Sequence, residues 1–525
     1  MFKRVLTIAL IFGIIAGAGL FTAESAMAQA PSGGTPAADA ANWVVAITYQ
    51  NTGADATGVS VLFYPEGQDS PTEFNPRDGK GDLAAGAADS FYIGNVNLPN
   101  GFRGNAVMSA NVSMAATAVQ FSQDTYNYAG GQEPYKMRLL SNAFSADDVS
   151  NQYLVATALK NKFSRTTTFS VQNTSADAIE ATFKFYDADN NGNLASTKTF
   201  VIPAFSSKWM DMAVDADTGL SAPVFNGSAI ITAVKQGTNT ASEVVASAGE
   251  YYTNRPVATA YEGVPLSAAA KKIYMATALC QRFGLDTYYA VQNASLTDDA
   301  TIVVTYKNLD GSTKTTDGPY DIGPGQKKSI TTCQPSNVPS GGMAGFTGAA
   351  VIDVTSGNAD IVAIGKAQYS QDGGNPGTAD VLTAFLGQAN GYSKLAMPFV
   401  RWANDANFNS PSNSGGKQRT FIAVQNLEDS QIKVNARYND KNGATVTTDV
   451  LTIEANSKAN TDANSAGALG QNGMNAGEFG YYTDNSFGGG VILEAHPDNA
   501  SAKFIAISRV QNPGAGDDYT GIPVQ

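Results

Sequence analysis

The chain has 525 residues, of which 43% are hydrophobic and only 15% charged, with 52 glycines, two cysteines and one histidine. This length predicts three or four domains, and the apolar fraction is sufficient to give each domain a core. Asp and Glu (46) outnumber Lys and Arg (33), and the net charge of −13 argues against nucleic acid as a partner, because phosphate binding needs a basic surface. A single histidine excludes multi-histidine metal sites and repeated histidine acid–base chemistry.

The first 28 residues have the organisation of a secretory signal peptide. Two basic residues at 3–4 precede an apolar run at 5–21, and Ala26-Met27-Ala28 forms a small-x-small cleavage site. An uncleaved membrane anchor is the alternative, since the apolar run approaches the length that spans a bilayer. The cleavage site favours removal of residues 1–28, so we expect a secreted or cell-surface protein without a transmembrane segment in the mature chain. Residues 29–41, rich in Pro, Gly and Ala, are expected to form a flexible leader.

Four copies of one unit follow. A Gln-Asn pair recurs with spacings of 122, 120 and 133 residues, and a later Phe-x-Gly element recurs with spacings of 123, 121 and 141. A tyrosine follows each asparagine by twelve or thirteen residues, and two independent landmarks with one period indicate tandem duplication. The asparagines are Asn51, Asn173, Asn293 and Asn426, the tyrosines are Tyr64, Tyr186, Tyr306 and Tyr438, and the glycines are Gly104, Gly227, Gly348 and Gly489.

Each copy is predicted to be an antiparallel β-sandwich. Alternating segments, such as IEATFKFY at 179–186 and IKVNARY at 432–438, indicate half-buried strands, and the Asn-Gly and Asp-Gly pairs between segments are typical of tight hairpins. Seven or eight strands per copy, without a long amphipathic helix, match the sandwich pattern. The linkers are short, which predicts an all-β rod of four tandem sandwich domains. Their predicted ranges are 42–150, 151–270, 271–391 and 392–525.

The first copy differs from the other three. Seventeen residues separate Ala156 from Asn173 and Ala276 from Asn293, and counting back by the same interval from Asn51 reaches Gly34 in the leader. The sequence therefore predicts that the first sandwich lacks its opening strand. An open sheet edge of this kind can accept a strand from a neighbouring molecule, although a short edge or a covering loop is the simpler interpretation.

The order of motifs resembles immunoglobulin-like repeats of bacterial exported and cell-surface proteins. The shared elements are V-Q-N, a strand ending in Tyr, an x-D-G or x-N-G hairpin, a turn such as Ile322-Gly323-Pro324-Gly325, and a closing aliphatic strand. Three of the four copies lack the paired cysteines and central tryptophan of antibody domains. The resemblance implies a stalk, adhesive or surface-layer role.

Two sets of residues are candidates for site chemistry. Cys280 and Cys333 lie in the third copy, and in an exported chain they are expected to form a disulfide. A catalytic thiol is the alternative, but it would need His496 from another copy as its partner. Asp187, Asp189 and Asn191 match the first half of a calcium loop, although Lys198 stands where the acidic twelfth ligand belongs and a plain hairpin turn is the competing interpretation.

No nucleophile elbow, phosphate loop or redox motif stands out, so we expect a protein that is not an enzyme. The recurring asparagine is interpreted as a side chain that bonds to the backbone of the following turn. The leading hypothesis is an extracellular structural protein that forms or decorates a surface layer, sheath or filament, with self-association or other cell-surface components as partners. The alternative is an adhesin or carbohydrate-binding protein that uses loops at one end of the sandwiches.

Overall fold

The computed structural model describes residues 5–12, 38, 41–99, 101–123, 136–369, 381–408, 418–470, 486–512 and 515–524. Strands make up 58% of the chain and helices 4%, and the strands form several antiparallel sheets, which confirms the all-β class with sandwich-like domains. The cleavage site at 26–28 and most of the leader lie outside the described residues. The domain boundaries stay predictions. Below, the four predicted ranges are called repeats 1 to 4.

The strands are numbered in chain order. The N-terminal strand is β1 (Val5–Phe12). Repeat 1 contains β2 (Trp43–Asn51), β3 (Val59–Pro65), β4 (Thr72–Phe74), β5 (Ala88–Tyr92), β6 (Gly104–Ala110), β7 (Met114–Ser122) and β8 (Arg138–Asn142). Repeat 2 contains β9 (Gln152–Lys160), β10 (Arg165–Asn173), β11 (Ile179–Asp187), β12 (Asn193–Ile202), β13 (Ser207–Asp211), β14 (Phe225–Lys235), β15 (Val244–Tyr252), β16 (Ala258–Glu262) and β17 (Val264–Pro265).

Repeat 3 contains β18 (Lys272–Leu279), β19 (Leu285–Asn293), β20 (Ala300–Lys307), β21 (Thr313–Ile322), β22 (Lys327–Thr331), β23 (Thr347–Gly357), β24 (Ile361–Tyr369) and β25 (Leu382–Leu386). Repeat 4 contains β26 (Lys394–Trp402), β27 (Arg419–Asn426), β28 (Ile432–Asn439), β29 (Thr445–Ile453), β30 (Lys458–Asp462), β31 (Phe487–Ala495), β32 (Phe504–Asn512), β33 (Ala515–Thr520) and β34 (Ile522–Pro523). The described α-helices, α1 (Asp215–Thr218) and α2 (Asp405–Phe408), have four residues each, and no helix in the described ranges is long and apolar enough to cross a membrane.

The same pair of sheets recurs along the chain. In repeat 2 one sheet has the order β12-β11-β14-β9-β17 and the other β13-β10-β15-β16, and in repeat 3 the orders are β21-β20-β23-β18 and β22-β19-β24-β25. Repeat 1 has β4-β3-β6-β1 and β5-β2-β7-β8. Repeat 4 has the same two sets of strands, joined into one sheet by a bridge between Trp402 and Arg419. We call β9, β18 and β26 the first strands, and β8, β16, β25 and β33 the closing strands.

Burial follows the position of each strand in this arrangement. In β11, β20 and β28 buried residues alternate with partly exposed ones, as the period of two predicts for strands with one face in a core. The first strands are instead buried at almost every residue. Their second face is covered by another repeat, because β9 packs on β19 and β24 of repeat 3, and β18 packs on β27 and β32 of repeat 4.

The Phe-x-Gly element places an aromatic ring over a glycine. A Cβ on Gly227 would lie 2.1 Å from the carbonyl oxygen of Tyr186 and 2.5 Å from the ring of Phe225, so only glycine fits. The ring of Phe225 also packs edge-on against Phe185 at 6.2 Å. The glycines in the other repeats show the same close approach, and their phenylalanines pack against Phe63, Tyr306 and Tyr438. The motif therefore fixes the distance between two neighbouring strands.

The repeats form a closed ring, and the predicted rod is wrong. At each junction the hairpin of one repeat lies against a turn of the next, and the hairpin of repeat 4 lies against repeat 1. Short linkers do not enforce a rod, because a short linker limits only the distance between domains and not the direction in which the next domain packs. Each junction contains a hydrogen bond between its two repeats. The N–H of Gly67 donates to the carbonyl oxygen of Ser207, and the N–H of Ala88 donates to that of Lys441. The side chain of Gln326 donates to the carbonyl oxygen of Asn191, and the hydroxyl of Ser457 donates to that of Asn308.

The closing strands meet at the centre of the ring. Each one contacts the closing strand of both neighbouring repeats, in the cyclic order β8, β16, β25, β33 and back to β8. These strands are buried along nearly their whole length. The ring therefore has a packed centre built from all four repeats.

Repeat 1 contributes no first strand of its own among its described residues. β6, which corresponds to β14, β23 and β31, pairs on one side with β3. Its other edge pairs with β1, which belongs to the predicted signal peptide. In repeats 2, 3 and 4 this edge pairs with the first strand of the same repeat.

Candidate functional site at the junctions between repeats

The recurring asparagine fixes a turn within its own repeat. The Nδ2 atom of Asn173 donates to the carbonyl oxygens of Asp177 (2.7 Å) and Ile202 (3.3 Å), and its Oδ1 atom accepts the N–H of Ser175 (2.9 Å). Asn51, Asn293 and Asn426 make three equivalent bonds, and all four asparagines are fully buried. Their role is structural, since every polar atom of the amide is used by the turn.

The glutamine before three of the four asparagines contacts another repeat. Gln292 Nε2 donates to the carbonyl oxygen of Ala229 in repeat 2 at 3.3 Å, and Gln425 makes the equivalent bond to repeat 3. The side-chain amide of Gln50 lies against Gly490 of repeat 4, and a Cβ on Gly490 would come within 2.7 Å of that amide. In repeats 1, 3 and 4 the Gln-Asn pair thus combines one residue that shapes the repeat with one that contacts the preceding repeat in the ring, whereas Gln172 of repeat 2 donates to Phe205 of its own repeat.

One carboxylate at the ring centre binds to three other repeats. Asp517 of β33 is fully buried and accepts hydrogen bonds from the backbone N–H groups of Leu140 (2.8 Å), Ala260 (3.1 Å) and Ala384 (3.3 Å). The hydroxyl of Thr259 donates at 2.7 Å. Burial raises the pKa of Asp517 well above its usual range, while the hydrogen bonds to the carboxylate oppose that rise. This single side chain therefore connects repeats 1, 2 and 3 to repeat 4.

The adjacent Asp518 is neutralised within the same cluster. Arg509 forms a bidentate pair with it, at 2.8 Å from Nε and 2.7 Å from Nη2. Thr383 of repeat 3 donates to the second carboxylate oxygen at 2.9 Å. The charges of Arg509 and Asp518 are thus compensated within repeat 4, and the hydroxyl of Thr383 joins this pair to repeat 3.

A second buried carboxylate lies at the junction of repeats 1 and 2. Glu262 ends β16, and its side chain accepts the backbone N–H of Asn142 in β8. Burial raises the pKa of Glu262 to about 7. The hydrogen bond from Asn142 lowers this pKa, and the nearby charge of Asp148 raises it further. Glu262 therefore takes up or releases a proton close to neutral pH.

The third buried carboxylate, at the junction of repeats 2 and 3, has the opposite behaviour. Glu250 pairs with Arg165 of its own repeat at 2.9 Å and with Lys366 of repeat 3. Burial disfavours its charged form, but the charges of Lys366 and Arg165 outweigh burial and lower the pKa of Glu250 to about 2. Arg165 also donates to Gln368 of repeat 3 at 2.7 Å and lies over the ring of Tyr252.

The two predicted cysteines form a disulfide. Cys280 and Cys333 are joined across 53 residues of repeat 3, with their Cα atoms 4.9 Å apart. Asp286 lies beside the sulfur atoms and completes a group of three potential metal ligands, but the bond between the sulfurs uses both thiols. His496 lies in a turn of repeat 4 and accepts the N–H of Asp498 at 3.2 Å. The catalytic-thiol alternative therefore gains no support from the positions of these residues.

The predicted calcium residues lie in a hairpin turn. Asp187 caps the turn by accepting the N–H of Asp189 at 2.9 Å, and Asn191 adopts a left-handed conformation with φ of 52°. Both carboxylate oxygens of Asp189 accept a hydrogen bond, one from Nζ of Lys162 and the other from Nδ2 of Asn226, each at 2.7 Å. Calcium would have to displace both donors to use Asp189 as a ligand, so the contacts favour the plain turn, while calcium binding itself stays a hypothesis.

Two exposed phenylalanines at equivalent positions were missed by the sequence analysis. Phe163 and Phe283 each precede the asparagine of their repeat by ten residues, in the loop between the first two strands, and are 64% and 74% exposed. Both have positive φ, 55° and 56°, which is unusual for an aromatic residue. A cation lies over each ring, Lys162 at 5.4 Å and Arg282 at 4.8 Å. The offset of ten residues is a repeat signal that self-comparison could have found.

These features define the class of protein: an all-β chain of sandwich-like repeats whose conspicuous polar residues lie at the junctions between repeats. A scan against models of known protein families gave no match, and a search of curated proteins found none with a similar sequence.

Proposed function

We propose that the protein is a non-enzymatic, exported structural protein that forms or decorates a surface layer, sheath or filament. The observation that carries this function is the use made of the repeated residues. Three of the four glutamines, the hairpin glycines and the Pro-Gly-type turn of repeat 3 contribute to contacts between repeats, and the last repeat contacts the first. A duplicated chain whose repeated residues join its own copies into one block is suited to serve as a building unit.

The buried charges support the same function. Moving a charged group out of water is costly, and a buried pair adds little net stability compared with apolar packing. Asp517, Glu250 and Glu262 each accept a donor from another repeat. Their contribution is therefore to define one arrangement of the repeats, which a subunit of an ordered assembly requires.

Negative-stain electron microscopy of the exported chain tests this function. At micromolar concentration we expect ring-shaped particles that associate into filaments or layers. Asp517→Asn replaces one of the two acceptor oxygens by an NH2 group that faces hydrogen-bond donors, and it should reduce the ordered assemblies. Asp78→Asn on an exposed turn is the matched control and should leave them unchanged. Particles of the natural chain that remain single at every concentration, while circular dichroism shows a folded β protein, would contradict a structural role.

The second candidate is an adhesin or carbohydrate-binding protein that uses loops at the ends of the sandwiches. Phe163 and Phe283 favour it, because an exposed ring held at positive φ suggests a contact surface rather than a packing role. Binding of single rings to a glycan array, lost in the double variant Phe163→Ala and Phe283→Ala, would support this candidate. Leu194→Ala with Val201→Ala removes two comparably exposed side chains and is the control. Absence of glycan binding by the natural chain would exclude it.

A further inference from the structure

The edge of β6 in repeat 1 forms one wall of a strand-binding slot. In repeats 2, 3 and 4 the corresponding strand is covered by a first strand of the same repeat, paired antiparallel to it. Among the described residues of the predicted mature chain, β6 has no such partner and pairs only with β3. The edge is filled by Val5–Phe12, which lies in the segment predicted to be removed on export.

The second wall of the slot belongs to repeat 2. Each first strand also packs on the following repeat in the ring, and β1 packs on β10 in the same way. At the junction of repeats 2 and 3, Ile230 and Val362 enclose Leu154 of the first strand in one apolar cluster. Val107 and Val245 occupy the equivalent register positions at the junction of repeats 1 and 2. A strand in the slot is therefore held by a hydrogen-bonded edge and by an apolar face.

The first strands of repeats 2, 3 and 4 show which kind of strand fits the slot. The first strands are buried on both faces, which demands a nearly continuous apolar segment of eight or nine residues. The leader at 29–41 does not meet this demand, because it contains two glycines and two prolines, and proline cannot donate to a strand ladder. Ala38 of this segment donates its N–H to the carbonyl oxygen of Arg255 in repeat 2.

We propose that the processed protein accepts, in the slot between β6 and β10, an extended apolar strand donated by a different protein. The strand runs antiparallel to β6 and takes the place that Val5–Phe12 occupies in the full chain. This inference rests on the proposed role in an exported assembly. Every strand in the described part of 41–524 is already paired within its own molecule, which favours a different protein over a second copy as the donor. Accepting a strand in this way would attach the ring to a partner and give repeat 1 the strand pairing that the other three repeats have.

The test uses the exported protein, whose N-terminus is first determined by mass spectrometry. A peptide of residues 5–12, flanked by lysines for solubility, is added to monomeric protein. We expect a saturable rise in Tm and at least about tenfold slower hydrogen exchange of those amides in Gly104–Ala110 that point away from β3. The matched control is the same peptide with Leu6→Pro and Thr7→Pro, which removes a backbone donor from the part in register with β6 and should produce neither effect.

The variant Val107→Asp places a charge on the apolar wall of the slot and should weaken binding of the peptide by about tenfold or more. If this variant fails to fold, Val245→Thr provides a milder change on the opposite wall. Failure of the peptide to bind would overturn the proposal. Protection, in the absence of peptide, of the β6 amides that point away from β3 would overturn it too, because the chain's own residues would then cover the slot.

A processed N-terminus that retains residues 5–12 would overturn it as well. Polymers of the pure protein that dissolve when the peptide is added would show that a second copy is the donor, contrary to the assignment to a different protein. Because strand binding is measured on monomers, it can fail while ordered assemblies still form, and assemblies can fail to form while the peptide binds. The two outcomes therefore distinguish the slot from the proposed function.

Discussion

Two buried glutamates at neighbouring junctions are expected to give opposite dependences of stability on pH. Glu262 has a pKa of about 7 in the folded protein, against 4.5 as the ordinary value. Because the folded pKa is raised, the contribution of Glu262 to stability is complete below about pH 4.5 and is lost as the pH rises through 7. The difference of about 2.5 pKa units corresponds to about 3 kcal/mol in the free energy of unfolding.

Glu262→Gln keeps the size of the side chain and an oxygen that can accept the N–H of Asn142. It should therefore leave stability nearly unchanged in acid and increase it by up to about 3 kcal/mol at a pH of about 8.5. Urea unfolding of the variant and the natural protein across this range measures the effect. Taking the difference between the two proteins removes the contributions of other titrating groups, which are common to both.

Glu250→Gln is the matched control, since Glu250 is equally buried but has a pKa of about 2. A lowered pKa gives a contribution that is present above about pH 4.5 and is lost as the pH falls towards 2. The variant should therefore lose about 3 kcal/mol at neutral pH, and this loss should shrink in acid. A difference between Glu262→Gln and the natural protein that does not change with pH would refute the assignment of the raised pKa.

Further expectations concern the backbone and the disulfide. Gly227→Ala should cost about 2–3 kcal/mol, because its Cβ would collide with the carbonyl of Tyr186, whereas Gly58→Ala, whose nearest neighbour lies at 3.7 Å, should change stability by less than about 1 kcal/mol in urea unfolding. Reduction of the disulfide in repeat 3 should lower stability by about 4 kcal/mol, and an unchanged urea midpoint after reduction would contradict this. Ser164→Gly should raise stability by about 0.5–1 kcal/mol, because Ser164 has a positive φ of 55° that strains a residue with a Cβ, and repeat 3 has Gly284 at this place. A fall in Tm would contradict this backbone strain at Ser164.

Local pattern predicted the strands and hairpins well, because both depend on neighbouring residues. The alternation in IEATFKFY corresponds to the alternating burial of β11, and the turn after it contains the expected Asn-Gly pair. The tyrosine landmark was less accurate. By strand register the equivalent inward-facing residues are Phe63, Phe185, Tyr306 and Tyr438, so in repeats 1 and 2 the tyrosine is one residue too late.

That shift moves a side chain to the other face of the sheet. Tyr186 consequently lies at a junction, where a Cβ on Gly325 would come within 2.8 Å of its ring. Tyr64 likewise lies 5.9 Å from Phe205 of repeat 2. Spacing along the chain could not separate a core residue from a junction residue, since a one-residue change in loop length reverses the assignment.

The junction charges could not have been predicted from local pattern either. Asp517 and its donor Leu140 are separated by 377 residues, and both lie in strands that carry no motif. Their proximity depends on how whole repeats pack, which the motifs of a single repeat do not determine. The disulfide was predictable because both cysteines belong to one repeat and the chain offers no other pairing.

Ring closure nevertheless has a cause that is visible in the sequence. Segments such as YLVATAL and LAMPFV are apolar at nearly every position, and a strand of this kind needs cover on both faces. Its own sandwich covers one face and the next repeat covers the other, so in an open rod the first strand of repeat 4 would remain exposed on one face. In the ring β26 packs instead on β2 and β7 of repeat 1, with Ala396 and Ala115 in one apolar cluster. The apolar pattern that predicts the first strands therefore also favours a ring over a rod.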